Sequence, residues 1–298
     1  IIHIVCKDHV VTTEYADGRP TETITTDQPN EVLRALMATY QAPRIEGFPP
    51  FTGGLVGYYA YRMIGYQEPT LKLRSSDVDD FDLMLFDKVI AYDHLSQKIN
   101  VVVNMKTDRM LENYGTARAE IEKIIRLIRE PMTLPVVRNH CKPTFTCNVT
   151  KEEYCDIVNK TKQYIIEGDI FQAVLSRRFE TPYTDSLLDA YRVLRTTNPS
   201  PYMVYLHRDD IELMSTSPET LVRLRNGRLA TFPVAGSRPR GATKEEDLAL
   251  EADLLADEKE LAEHNMLVDL GRNDIGRLSE FGSVVVVDYQ MIHRYSRI

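Results

Sequence analysis

The order of helical and strand-like segments predicts an α/β protein of the α+β type, built in layers with largely antiparallel sheets. Two observations carry this. Strand-like runs come in pairs joined by short polar turns, a connection too short for parallel neighbours. Helical segments with recognisable caps fall between those pairs, and no period of about 20–50 residues suggests a solenoid.

The elements follow in order. Ile1 to Thr13 alternates loosely as a strand would, and Asp17-Gly18 is a turn. Asn30 is the expected cap of a helix running to Tyr40, with Val32, Leu33, Leu36 and Met37 as its apolar stripe. Gly53-Gly54 and Gly57 lie among aromatics in Phe51 to Tyr61. No Lys-Ser/Thr follows them, so a strand needing close backbone approach is expected rather than a phosphate loop. Leu83–Asp93 and Lys98–Met105 form an expected hairpin, with His94 exposed in its turn. Leu111–Arg129 is a helix with Ile121, Ile124, Ile125 and Ile128 on one side. The chain then divides into a strand-rich part over 1–130, a proline-broken linker over 131–146, and a second part over 147–298.

In that second part, Thr150 with Glu153 is a capping box rather than part of a glycosylation site. The helix it opens runs from Lys151 to Glu167, turns Tyr154, Ile157, Val158, Tyr164 and Ile165 toward a core, and stops at Gly168. Ile170–Phe179 is an expected strand, Leu187–Thr196 a helix, and Tyr202–Leu206 and Ile211–Met214 short strands. Asn226-Gly227 marks a tight hairpin between Leu221–Arg225 and Arg228–Phe232.

Composition bounds the function. At 298 residues and 43% apolar, the chain can bury a sizeable core. A net charge of −8 argues against a general nucleic-acid or anionic-membrane surface. There is no apolar run of about 18 residues and no signal-like start, so a cytoplasmic protein is expected. Cys6, Cys141, Cys147 and Cys155 are irregularly spaced and are expected to be reduced thiols.

The most site-like stretch runs from Thr231 to Arg277. Pro233-Val234-Ala235-Gly236-Ser237-Arg238-Pro239-Arg240-Gly241 is a turn that gathers backbone N–H groups and guanidinium donors, which suits a carboxylate-bearing ligand. Arg238 and Arg240 are equally able to pair with carboxylates of the acidic helix that follows. Glu260 and Glu263 share a helix face and can converge on a hard cation, with His264 beside them. Glu260 also stands at capping-box spacing from Asp257, which gives it a structural alternative. Asp269, Asn273 and Asp274 are expected as helix-end caps.

This succession of motifs resembles the chorismate-utilising enzymes, and among them most closely the large subunit of anthranilate synthase. The Pro-Val-Ala-Gly-Ser turn carries the resemblance, with Ala262-Glu263-His264 and Val268-Asp269-Leu270-Gly271-Arg272-Asn273-Asp274. Upstream, Gly168-Asp169-Ile170-Phe171-Gln172, Asn198-Pro199-Ser200-Pro201-Tyr202-Met203 and Ser217-Pro218-Glu219 extend it. The resemblance implies an α/β/β/α sandwich of two orthogonal antiparallel sheets, with the active site in the cleft between them. It implies Mg²⁺ held by Glu263, with Glu260 as a further ligand, and Glu219 as the general acid that protonates the departing C4 hydroxyl. Substrate binding falls to Ala235, Gly236, Ser237 and Gln172.

Relatives that activate water, or that form a covalent adduct, resemble one another in carrying a lysine where this chain has Gln172 or Ala235. Neither side chain can act as base or nucleophile. The implied nucleophile is free ammonia from a glutamine amidotransferase partner, and the implied product is anthranilate, on the route to tryptophan. An aminodeoxychorismate synthase and a non-catalytic binding relative are the alternatives. Residues Asn198, Pro199, Ser200, Pro201, Tyr202 and Met203 resemble a tryptophan feedback segment. The chain starts without Met, and the family's catalytic histidine is expected just beyond Ile298. The sequence is therefore expected to be a fragment, without both ends and inactive alone.

Overall fold

The structure, a computed structural model, describes residues 2–133, 143–208 and 211–298. The chain forms two compact units, Ile1–Pro135 and Val136–Ile298. Most of the expected linker over 131–146 lies outside the described residues, as does Cys141.

The first unit holds the strands β1 (Ile2–Lys7), β2 (Val10–Tyr15), β3 (Glu22–Thr25), β4 (Gly54–Tyr59), β5 (Phe81–Phe86), β6 (Lys88–Asp93) and β7 (Lys98–Val103). Its helices are α1 (Pro29–Thr39) and α2 (Met110–Arg129). Five strands make an antiparallel sheet in the order β3-β2-β1-β5-β4, and β6 pairs with β7. Alternation sets the core: Ile2, Ile4 and Cys6 of β1, Val11 of β2 and Phe81, Leu83 and Leu85 of β5 are buried, with Leu33 of α1 packed against them. Each such side chain contributes about 1.5–3 kcal/mol relative to leaving it in water.

The two buried carboxylates of this unit are paired. Asp82 meets His3 Nε2 at 2.7 Å. Asp80 accepts from Tyr66 Oη at 2.7 Å and from the Asp8 N–H at 3.0 Å. Burial raises the pKa of both Cys6 and Tyr66.

Several expected boundaries shift. The run Ile1–Thr13 is two strands, because Asp8 and His9 turn the chain with φ of 46° and 70°. That is the geometry of a two-residue hairpin built without the usual Asn or Gly. Gln28, not Asn30, caps α1, since Pro29 takes the first helical position where its missing N–H costs nothing. The expected strand Leu83–Asp93 breaks at Asp87, whose carbonyl accepts from the Asn104 N–H at 2.8 Å. Gly57 does need its close approach: a Cβ there would fall 1.9 Å from the Asp82 carbonyl oxygen across the β4–β5 pair.

The second unit holds α3 (Lys151–Glu167), α4 (Leu187–Thr197), α5 (Lys244–Ala256) and α6 (Glu258–Gly276). Its strands form antiparallel pairs: β8 (Thr146–Cys147) with β9 (Phe179–Glu180), β10 (Tyr202–Arg208) with β11 (Ile211–Ser217), and β12 (Arg223–Arg225) with β13 (Arg228–Ala230). The Thr150–Glu153 capping box forms in both directions, and Gly168 closes α3 at φ 82°. Asn226 and Gly227 turn their hairpin at φ 52° and 75°. The expected strand Ile170–Phe179 is strand only from Phe179, for lack of a pairing partner among the described residues. The expected core face of α3 is only partly covered: Tyr154 and Val158 are half-buried, while Ile157, Tyr164 and Ile165 are each 42% exposed. Asp269, Asn273 and Asp274 lie within α6 rather than capping it, and Asp269 faces Arg272 at 3.7 Å. The α/β class with antiparallel sheets is the one observed.

Candidate active site

The turn at 233–241 and the first turn of α6 come together because glycine lets them. Gly236 adopts φ +70°, and a Cβ there would lie 3.1 Å from Glu260 Oε2 and 2.9 Å from Leu254 Cδ1. The turn is pinned by its arginines. Arg238 donates from Nε to Asp253 at 2.6 Å and from a terminal nitrogen to Asp257 at 2.9 Å. Arg240 grips Asp247 through Nε at 3.0 and 3.1 Å, while Asp247 also accepts the Gly241 N–H at 2.6 Å. These contacts hold the Asp247 carboxyl down at about 2, the Arg240 guanidinium first and the Gly241 N–H second. The Asp253 and Asp257 carboxylates raise the Arg238 pKa further. Both arginines thus serve the turn itself, the structural alternative that the sequence left open.

Asp257 caps α6 by accepting from the N–H groups of Lys259 and Glu260 at 3.1 and 3.2 Å, and Arg238 chiefly keeps its pKa low. The return bond of a capping box is not made: the Glu260 carboxylate instead accepts from Lys259 Nζ at 3.2 Å. Glu263, one turn on, accepts from Gln172 Nε2 at 3.1 Å and lies 4.0 Å from the same Lys259 Nζ. Gln172, Gly236, Glu260 and Glu263 are therefore one cluster, flanked by half-buried Ala235 and exposed Ser237. His264 receives the Gln290 N–H at 3.4 Å and rests near the Tyr289 ring. No group of three or more His, Cys, Asp or Glu side chains that could hold a metal occurs among the described residues.

The remaining expected residues form a second group. Glu219 is exposed just past β11, and its backbone N–H donates to Ser217 Oγ at 3.4 Å. The segment from Asn198 to Met203 lies against this exit. Tyr202 pairs with Ser217 in the strand register, and its hydroxyl meets Thr220 Oγ1. Asn198 donates to Thr216 at 3.4 Å, Ser200 is half-buried, Pro199 and Pro201 are exposed, and Met203 pairs with Thr216 in the strand register. No hydrogen bond or ion pair joins this group to the Glu260–Glu263 cluster among the described residues. Lys259 was missed in the sequence, though its spacing of one and four residues from the two glutamates was the signal.

Comparison with known proteins agrees with the motifs. The chorismate binding enzyme family model matches residues 3–298. The chain is similar to anthranilate synthase component 1 of Acetivibrio thermocellus, 42% identical over 280 residues, covering 91% of this chain and 57% of that protein. It is 44% identical over 281 residues to the component of the same name from Aquifex aeolicus, covering 92% of this chain and 56% of the relative. The crystal structure of anthranilate synthase component I from Streptococcus pneumoniae superposes with a TM-score of 0.84 at 31% identity, covering 100% of this chain and 65% of that one. The chain thus spans little more than half the length of these curated relatives. With the family model matched almost end to end and its motifs meeting at the Gly236 turn, the chain belongs to the chorismate binding enzyme family.

Proposed function

We propose that this chain provides the chorismate-binding part of an anthranilate synthase that aminates its substrate with free ammonia and eliminates pyruvate. The carrying observation is the cluster in which Gln172, Gly236, Glu260 and Glu263 meet, where neither Gln172 nor Ala235 offers an amine. The lysine present, Lys259, is tied to both carboxylates. The family's description supplies the substrate and the relatives' name the product.

The two glutamates suit Mg²⁺, which takes one or two carboxylates plus waters and substrate oxygens, and the pair already accommodates an ammonium. When bound, Mg²⁺ would neutralise the ring carboxylate of chorismate. The chain's own residues do the rest. Gly236 and Ser237 offer backbone N–H groups to the substrate, and the absence of a Cβ at Gly236 leaves Glu260 room. Gln172 orients Glu263 by its amide hydrogen bond and, being neutral, leaves water unactivated. Glu219, whose carboxylate makes no ion pair among the described residues, would deliver the proton to the leaving C4 hydroxyl. A glutamine amidotransferase subunit would supply the ammonia, and the 198–203 segment, anchored to the Glu219 exit, would take tryptophan.

Anthranilate fluorescence from the whole protein carrying this sequence, given chorismate, ammonium and Mg²⁺, tests the proposal. Glu263→Gln is expected to lower kcat/KM by about 100-fold or more. A product that is aminated but does not fluoresce as anthranilate would select the aminodeoxychorismate alternative. Full activity in Glu263→Gln would remove the metal role.

A further inference from the structure

We propose that Lys259 is the built-in counter-cation of the Glu260–Glu263 pair, holding the two carboxylates together until a divalent cation displaces its ammonium. The inference rests on the reading that this pair takes Mg²⁺, and adds how the pair survives without it. Its Nζ lies 3.2 Å from Glu260 Oε1 and 4.0 Å from Glu263 Oε2. Asp257, Glu258, Glu260 and Glu263 crowd the first turns of α6 with negative charge. Two carboxylates one turn apart repel, and a cation between them removes the repulsion.

The exposures say which partner yields. The Lys259 side chain is 78% exposed, against 19% for Glu260 and 31% for Glu263. Glu260 is backed by the Gly236 turn and Glu263 is held by the Gln172 amide, so the carboxylates stay where they are. Lysine is a point charge on a flexible stem, so it can swing into water when a stronger cation arrives; an arginine fork would bind more rigidly.

The ammonium thus competes with the metal for the same oxygens. The test is Mn²⁺ binding by the 298-residue chain at low ionic strength, followed by electron paramagnetic resonance of the free ion, with circular dichroism to confirm folding. Lys259→Met is expected to tighten Mn²⁺ by about two- to fivefold, the range in which an exposed ion pair acts. Lys259→Arg, which keeps the charge, is expected to bind no tighter than the parent, and Lys160→Met on α3 is expected to change nothing. Raising the salt concentration is expected to shrink the Lys259→Met difference. Mn²⁺ binding that Glu263→Gln abolishes but Lys259→Met leaves unchanged or weaker overturns the role of Lys259 alone. An equal gain from Lys160→Met also overturns it, since the effect would then be one of net charge. No binding by any form overturns the metal reading and this inference together.

Discussion

The two units of this chain were built by the same local rules and differ in what those rules bury. In the first, strand alternation on β1 and β5 meets the stripe of α1 and eight side chains close into a core. In the second, caps and turns form as the sequence dictates, yet none of the described residues falls in the buried class. Helix and hairpin signals are therefore sufficient for elements but not for a core, because local hydrogen bonds are satisfied within a few residues while burial needs a second apolar face. The first unit coheres through the hydrophobic effect. In the second, what holds neighbouring segments is largely polar: capping boxes, the Arg238 and Arg240 clamps and the Lys259 bridge.

The largest test of that contrast is a pair of phenylalanines. Phe81 is fully buried and Phe171 is 88% exposed. Phe81→Ala is expected to cost about 3–5 kcal/mol in urea unfolding of the first unit. Phe171→Ala is expected to stay within about 0.5 kcal/mol. A comparable loss from both would show that the second unit buries Phe171 in solution, and the comparison would break. Hydrogen exchange sharpens it: amides of β1 and β5 are expected to exchange only on global unfolding, and those of β10 and β11 through local opening at lower free energy.

What could be seen in the sequence follows the same division. Thr150, Glu153 and Gly168 declared the ends of α3, and Asn226-Gly227 declared its hairpin, because each acts through its own backbone neighbourhood. The Asp8-His9 hairpin was not read from the sequence, since Asp and His tolerate a left-handed backbone without requiring it as glycine often does; the sheet register imposes it. The Ile170–Phe179 segment looked like a strand from composition and gained a ladder only at Phe179, because pairing is not a property of one segment. At the site, Glu260 and Glu263 were legible from spacing and Gln172 from its motif. The bond from Gln172 to Glu263 joins residues 91 apart in sequence, so only the fold could supply it. The pairing of Arg238 with Asp253 and Asp257 was likewise one of two open choices until the turn docked on its helix.

A middling effect is expected at the α3 cap. Thr150→Ala removes the hydroxyl that accepts the Glu153 N–H at 3.2 Å and donates to the Glu153 carboxylate at 3.0 Å, leaving that carboxylate only the backbone N–H of residue 150. The expected loss is about 0.5–2 kcal/mol of local stability, seen as faster exchange in the first turn of α3. Thr150→Ser, which keeps the hydroxyl, should restore most of it. If α3 exchanges identically in all three forms, its start is fixed by packing, and the polar account of the second unit is wrong for this helix.

The smallest effect, and the one with a definite sign, lies at Asp247. Its carboxyl stands at about 2 in the folded protein, against roughly 3.9 for an unperturbed aspartate, because Arg240 and the Gly241 N–H favour the charged form. A depressed carboxyl contributes stability that is complete above the unfolded value and disappears as pH falls through the folded one. The docking of the turn on α5 is therefore expected to be constant above about pH 5 and to weaken between about pH 4 and 2. Carboxyl ¹³C titration should place the Asp247 midpoint near 2. Asp247→Asn should remove its share of the acid-sensitive step, and added salt should diminish that share in the parent, as expected of a clamp reached by solvent. An Asp247 midpoint near 4 would show that the Arg240 clamp does not persist in water, leaving Gly236 and the Asp257 cap to hold the turn beside Glu260.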